Sequence, residues 1–104
     1  MIRYRFYVGT RDGQDASKPA CHDEAHGYLV REFGGYTAVN AQGAWADGGK
    51  VYTEPSVVYE VLAEEQPGHS ITTGDSHAQL IRALARQQCV LWTCERVYGG
   101  FANA

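Results

Sequence analysis

Nothing in the 104 residues comes near the ~20 consecutive apolar side chains needed to cross a bilayer. The opening run Met1-Ile2-Arg3-Tyr4-Arg5-Phe6 alternates polar and apolar residues and lacks the continuous apolar segment of a secretory leader. No membrane partner is expected, and the expected location is the cytoplasm, the host's if the source is viral. Positive charge is also scarce, nine Lys and Arg against twelve Asp and Glu, giving a formal net charge of −3. Duplex nucleic acid is normally met by a basic excess and is not an expected partner. A small anion needs only two or three clustered arginines and stays open. Cysteines number three, and Cys89 and Cys94, five apart in an apolar run, fall on opposite faces of a strand. Reduced thiols in a reducing compartment follow.

Catalytic signatures are thin as well. There is no Gly-x-Ser-x-Gly elbow and no His-Glu-x-x-His motif, and Gly9-Thr10-Arg11-Asp12-Gly13 follows a strand but lacks the lysine and spacer of a Walker loop. Cys21, His22 and His26 share a helical face, yet two imidazoles and a thiol without further ligands read as an exposed face. Neither a metal nor a cofactor is expected.

What the chain does contain is strand pattern. A single domain spanning 1–104 is expected, large enough to bury roughly 65% of its unfolded surface. Ile2 to Gly9 alternates Ile2, Tyr4, Phe6 and Val8 against Arg3, Arg5 and Tyr7. A helix is expected from Ser17–Pro19 to Phe33, stopped by Gly34-Gly35. A long hairpin follows, Tyr36 to Trp45 and Lys50 to Ala63, turning at Asp47-Gly48-Gly49, with Pro55 marking an edge or a bulge. A second helix capped at Thr73 or Asp75 carries His77, Leu80, Ile81 and Leu84 on one face, and a last strand runs from Cys89 to Tyr98. The order β-α-β-β-α-β predicts an α+β ferredoxin-like sandwich, a four-stranded antiparallel sheet with two helices on one face and the other face open. The first and last strands are expected at or near the centre.

The open face draws the functional expectation. Arg3, Arg5 and Tyr7 project from one side of the first strand, and a cross-strand ion pair with Glu54 or Glu60 is the bland account of the arginines. The alternative is a site in which Arg3, Arg5 and Arg96 contact an anion, Arg11 supports a nest of backbone N–H groups, Tyr7, Trp45 and Tyr52 stack on a ring, and Asn40 and Gln42 read polar edges.

Three stretches, Tyr4 to Thr10, Gly35 to Trp45 and Glu54 to Val61, together resemble a family of small bacterial domains of unknown function. The resemblance implies a ferredoxin-type α+β fold and carries no activity. At the level of size and organisation the chain is similar to phage-encoded anti-defence sponges that sequester cyclic-nucleotide signals. The expected function is accordingly a non-catalytic protein that binds or sequesters a small anionic ligand, a nucleotide among the candidates, as a homo-oligomer through the open face or the hairpin. A small enzyme of the dimeric α+β barrel kind, using histidine or carboxylate acid–base chemistry, and a structural or protein-interaction module are the alternatives.

Overall fold

A computed structural model describes residues 1–104, in the order β1 (Ile2–Gly9), α1 (His22–Phe33), β2 (Thr37–Asp47), β3 (Lys50–Ala63), α2 (Gly74–Leu84) and β4 (Leu91–Arg96), with a 3-10 turn at Ile71–Thr73 leading into α2. Every strand pair is antiparallel, and the sheet order is β2-β3-β1-β4. This is the expected ferredoxin-like α+β sandwich. The last strand departs from expectation: β4 is an edge, and β3 shares the centre with β1.

Alternation in β1 decides which face the helices cover. Ile2, Tyr4, Phe6 and Val8 are fully buried, while Arg3, Arg5 and Tyr7 between them stay partly exposed. Their buried faces meet Ala25 and Leu29 of α1, Ala78 and Ile81 of α2, and Tyr59 and Val61 of β3. Each large apolar side chain so enclosed contributes on the order of 1.5–3 kcal/mol. Gly34, at φ +83°, ends α1 by donating its N–H to the Val30 carbonyl at 2.9 Å. Gly48 and Gly49 both hold positive φ, +59° and +82°, as a two-residue hairpin turn of the primed kind requires. Gly74 is needed for a different reason: a Cβ there would lie 2.3 Å from the Trp92 ring, on which the first turn of α2 rests.

Two boundaries differ from the sequence expectation. Helix α1 begins at His22, not at Ser17–Pro19, because short polar side chains hold residues 10–21 as a loop. The buried Asp12 carboxylate accepts the backbone N–H groups of Gln14 (2.7 Å) and Asp15 (3.2 Å), and Asp15 accepts that of Ser17 (3.0 Å). Strand β4 runs only from Leu91 to Arg96, with Trp92 and Cys94 paired against Phe6 and Tyr4 and therefore turned toward the helices. Leu91, Thr93 and Glu95 take the open face.

The Asp12 loop has a pH signature. Backbone hydrogen bonds, chiefly from Gln14, with Arg86 at 3.7 Å, hold the Asp12 carboxyl below its ordinary value. A depressed folded pKa gives stability that is present above the unfolded value, near 4, and is lost as pH falls through the folded one. Denaturation midpoints should therefore drop on acidification below about pH 4. Asp12→Asn, which keeps the acceptor oxygen and loses the charge, should flatten that limb, as a urea series at several pH values would show.

Beyond Ser56 the hairpin outruns β1, whose last partner in the register is Gly9↔Ser56. Residues 42–55 form a two-stranded arm, and the molecule measures 47 × 27 × 26 Å in consequence. Val39, Trp45, Val51 and Tyr52 are all exposed on this hairpin. Pro55 fits because β1 has ended there: its carbonyl faces the β1 side, accepting the Thr10 hydroxyl at 2.9 Å, so its missing N–H breaks no ladder bond.

Candidate functional site

Each arginine proposed for an anion is answered by a carboxylate of the same chain. Arg3 pairs with Glu95, Arg5 Nε donates to Glu60 at 2.8 Å, and Arg96 reaches Glu65 at 2.9 Å. The Glu65 carboxyl is held below its ordinary value by that hydrogen bond. Alternation places Arg96 on the helix side of β4, away from Arg3 and Arg5. Tyr7 stays on the open face with these two.

The hairpin residues are similarly divided. Register puts Trp45 and Tyr52 on the open face and Asn40 and Gln42 on the opposite one. Trp45 and Tyr52 stack on each other with centroids 5.6 Å apart, at the far end of the arm. Eight residues separate Tyr52 from Glu60, the partner of Arg5, about 26 Å along the strand. Arg11 lies in the loop, exposed, and its carbonyl accepts from Gln87 Nε2 at 2.8 Å. One chain thus does not gather these nine residues into a single pocket.

What the fold does gather is a polar centre at Gly9, where β1 ends. On the open face, Glu54 reaches back from β3 and Gln87 comes over from the turn after α2. A Cβ on Gly9 would lie 2.5 Å from Glu54 Oε1 and 2.7 Å from Gln87 Oε1, so a side chain there would push both oxygens aside from their place over the strand. Gln87 is fixed by donating to the carbonyls of Arg11 and Ala85. Glu54 is half-buried and belongs to none of the ion pairs.

On the helix side of the same residue, the Gly9 carbonyl accepts from His22 Nε2 at 2.9 Å. That bond assigns the proton to Nε2 and leaves His22 Nδ1 as an acceptor for the Tyr59 hydroxyl. The Tyr59 oxygen in turn accepts from His26 Nε2 at 2.7 Å, giving a one-way chain His26 to Tyr59 to His22 to Gly9. Tyr36 stacks on His26 at 5.1 Å and closes the outer side. Burial pushes the Tyr59 phenol up to about 12, so it is protonated throughout the neutral range.

The i, i+4 spacing of His22 and His26 was visible in sequence. That this face is turned inward follows from Ala25 and Leu29 on the same helix, both buried. The partner Tyr59 and the approach of Glu54 and Gln87 to Gly9 had no local signal.

A second cluster lies in the helix layer. Glu32 from the last turn of α1, His69 from the loop and His77 of α2 have ligand-type atoms all within 4.8 Å of one another. Elsewhere, a concavity of about 330 Å³ sits between the end of α1 and the C-terminal tail, with Phe33, Tyr36, Glu60, Leu62 and Phe101 in its walls. No helix is long and apolar enough to cross a membrane.

No known protein family's profile matches the sequence, and no curated protein matches it. Solved structures do match the fold, two of them as follows. A phage SAM lyase in the apo state superposes with a TM-score of 0.67 at 16% identity, over 90% of this chain and 78% of that one. A phage SAM lyase in complex with S-methyl-5'-thioadenosine gives 0.63 at 19% identity, over 90% and 79%. The shared property is the architecture. It corrects the expectation of a non-catalytic sequestering protein: both of these solved structures are of an enzyme, a SAM lyase, and neither is of a sponge.

Proposed function

We propose that this chain is a phage enzyme that cleaves S-adenosylmethionine to S-methyl-5'-thioadenosine without water. The observation that carries the reading is the unpaired Glu54 carboxylate over Gly9, on the open face of a fold shared with a SAM lyase. The net charge of −3 suits a substrate that carries both a sulfonium and an ammonium.

Glu54 anchors the ammonium end of the substrate, with Gln87 accepting a second N–H. So held, the substrate's own carboxylate is turned onto the carbon γ to it that bears sulfur. The new C–O bond closes a lactone as the C–S bond breaks, and the electron pair stays on sulfur as a neutral thioether. No acceptor, oxidant or water enters the balance. Sulfonium and carboxylate lose their charges together in the transition state, so a site with little water favours the reaction.

Dryness requires a cover, and the open face of one chain is bare. The reading therefore includes self-association, with the arm of a second copy laid over the open face. Tyr7 then serves as a stacking surface within the chain, and Trp45 and Tyr52 of the arm supply others. Arg3, Arg5 and Arg96 remain in their ion pairs.

The test is to incubate the purified protein with S-adenosylmethionine and follow products by liquid chromatography and mass spectrometry. Equimolar S-methyl-5'-thioadenosine and homoserine lactone, or the acid it hydrolyses to, are expected. Quantitative recovery of intact S-adenosylmethionine, or release of S-adenosylhomocysteine, would sink the reading.

A further inference from the structure

We infer that Glu32, His69 and His77 form a binding site for one divalent transition ion of the zinc class, remote from the centre at Gly9. Three separate segments converge on it: the last turn of α1, the tight turn from Gln66 to His69, and the first turns of α2. Convergence from three segments distinguishes it from a run of acidic residues on one surface. Two imidazoles and one carboxylate are the ligand set that zinc, cobalt and nickel accept.

The spacing suits a small ion. His69 Nε2 stands 3.0 Å from Glu32 Oε1, and neighbouring ligands of a tetrahedral ion with ~2.0–2.1 Å bonds lie about 3.3 Å apart. No separation in the set exceeds 4.8 Å, a gap that closes with about an ångström of side-chain movement. The Gly68 carbonyl, 2.7 Å from His77 Nε2, is at hand as a fourth ligand.

Both rings carry the outer partners that ligand imidazoles use. His77 Nδ1 meets the Tyr28 hydroxyl at 2.6 Å, and His69 Nδ1 meets the Gln66 amide at 3.3 Å. Without an ion, His77 Nε2–H donates to Gly68 and Nδ1 accepts from Tyr28. With an ion on Nε2, the proton resides on Nδ1 and donates to the Tyr28 oxygen, while the Gln66 amide turns its oxygen to His69. The change is a tautomer shift in each ring, with no net proton lost from neutral imidazoles. Phe33, 4.9 Å from both rings, provides an apolar wall, and the Glu32 side chain, 40% exposed, provides an entry path. Tyr4, whose ring lies 5.3 Å from His77, is five residues from Gly9 on β1, about 16 Å along the strand. The ion would therefore clamp α1, the loop and α2 together and take no part at Gly9.

The test is a cobalt(II) titration of the metal-free protein, followed by visible absorption, with melting measured with and without one equivalent of zinc. One equivalent is expected to give tetrahedral d–d bands and a raised melting temperature. His69→Asn and Glu32→Gln should each weaken binding about tenfold or more, with the zinc-induced rise in melting read against each variant's own metal-free value. His77→Ala is a poor probe, because it also removes the buried links to Tyr28 and Gly68. Absence of the bands and of the melting shift would overturn the site. So would a thiolate charge-transfer band, which assigns the ion to cysteine, or unimpaired binding in both variants.

Discussion

Glu54→Gln should lower turnover of S-adenosylmethionine about 100-fold while leaving the denaturation midpoint unchanged, a loss on the order of 3 kcal/mol from the barrier. The two halves of this expectation have one cause. Glu54 makes no ion pair with the rest of the chain, so folding gains nothing from its charge. Its whole electrostatic effect is left for a ligand, and a glutamine of the same size keeps the shape over Gly9 while removing the anchor for an ammonium. The loss should be seen in kcat/KM from initial rates of S-methyl-5'-thioadenosine formation. An active Glu54→Gln enzyme would move the reaction centre elsewhere on the molecule. A variant that unfolds would instead show that the carboxylate is structural.

The second large effect concerns stability. Tyr59→Phe removes one oxygen, yet it is expected to cost about 2–6 kcal/mol, because it leaves two half-buried imidazole nitrogens unpaired at about 1–3 kcal/mol each. His22 Nδ1 loses its donor and His26 Nε2 its acceptor. A typical surface substitution stays within about 0.5 kcal/mol, so the two cases separate cleanly in an equilibrium urea titration. His22→Ala combined with Tyr59→Phe should then cost less than the sum of the two, since both act through one hydrogen bond. Strict additivity in that cycle would show that the chain from His26 to Gly9 is not coupled.

The contrast between fold and site shows what a sequence displays. Ile2, Tyr4, Phe6 and Val8 announce β1 because strand alternation is a property of neighbours in the chain. Gly48-Gly49 and Gly34 announce a turn and a helix end for the same local reason. The start of α1 was misplaced because Asp12 and Asp15 satisfy backbone N–H groups with their own side chains, in competition with helix formation. The sequence does not show which face of β4 is buried, because Leu91 and Trp92 are both apolar; pairing with Phe6 turns Trp92 inward. The candidate centre was illegible for a stricter reason. Gly9, Glu54 and Gln87 meet only after three separate segments have folded, and none carries a local pattern. The open-face arginines are conspicuous in sequence as like charges side by side, but their carboxylates, Glu95 and Glu60, come from the strands on either side of β1. Arg5 with Glu60 is the cross-strand pair foreseen as the bland outcome.

Pro55 has a consequence for what this chain will not do. In the arm, the side of β3 vacated by β1 is a bare edge, open to capture by any stray strand. A residue with no N–H, its carbonyl already engaged by Thr10, denies such a strand its first rung at the point where the ladder would join the body of the sheet. The outer margin of β2 has no such block over its eleven residues. Backbone-to-backbone growth of the arm thus meets an obstruction at the join with the body on the side nearest Glu54, and none along the outer margin of β2.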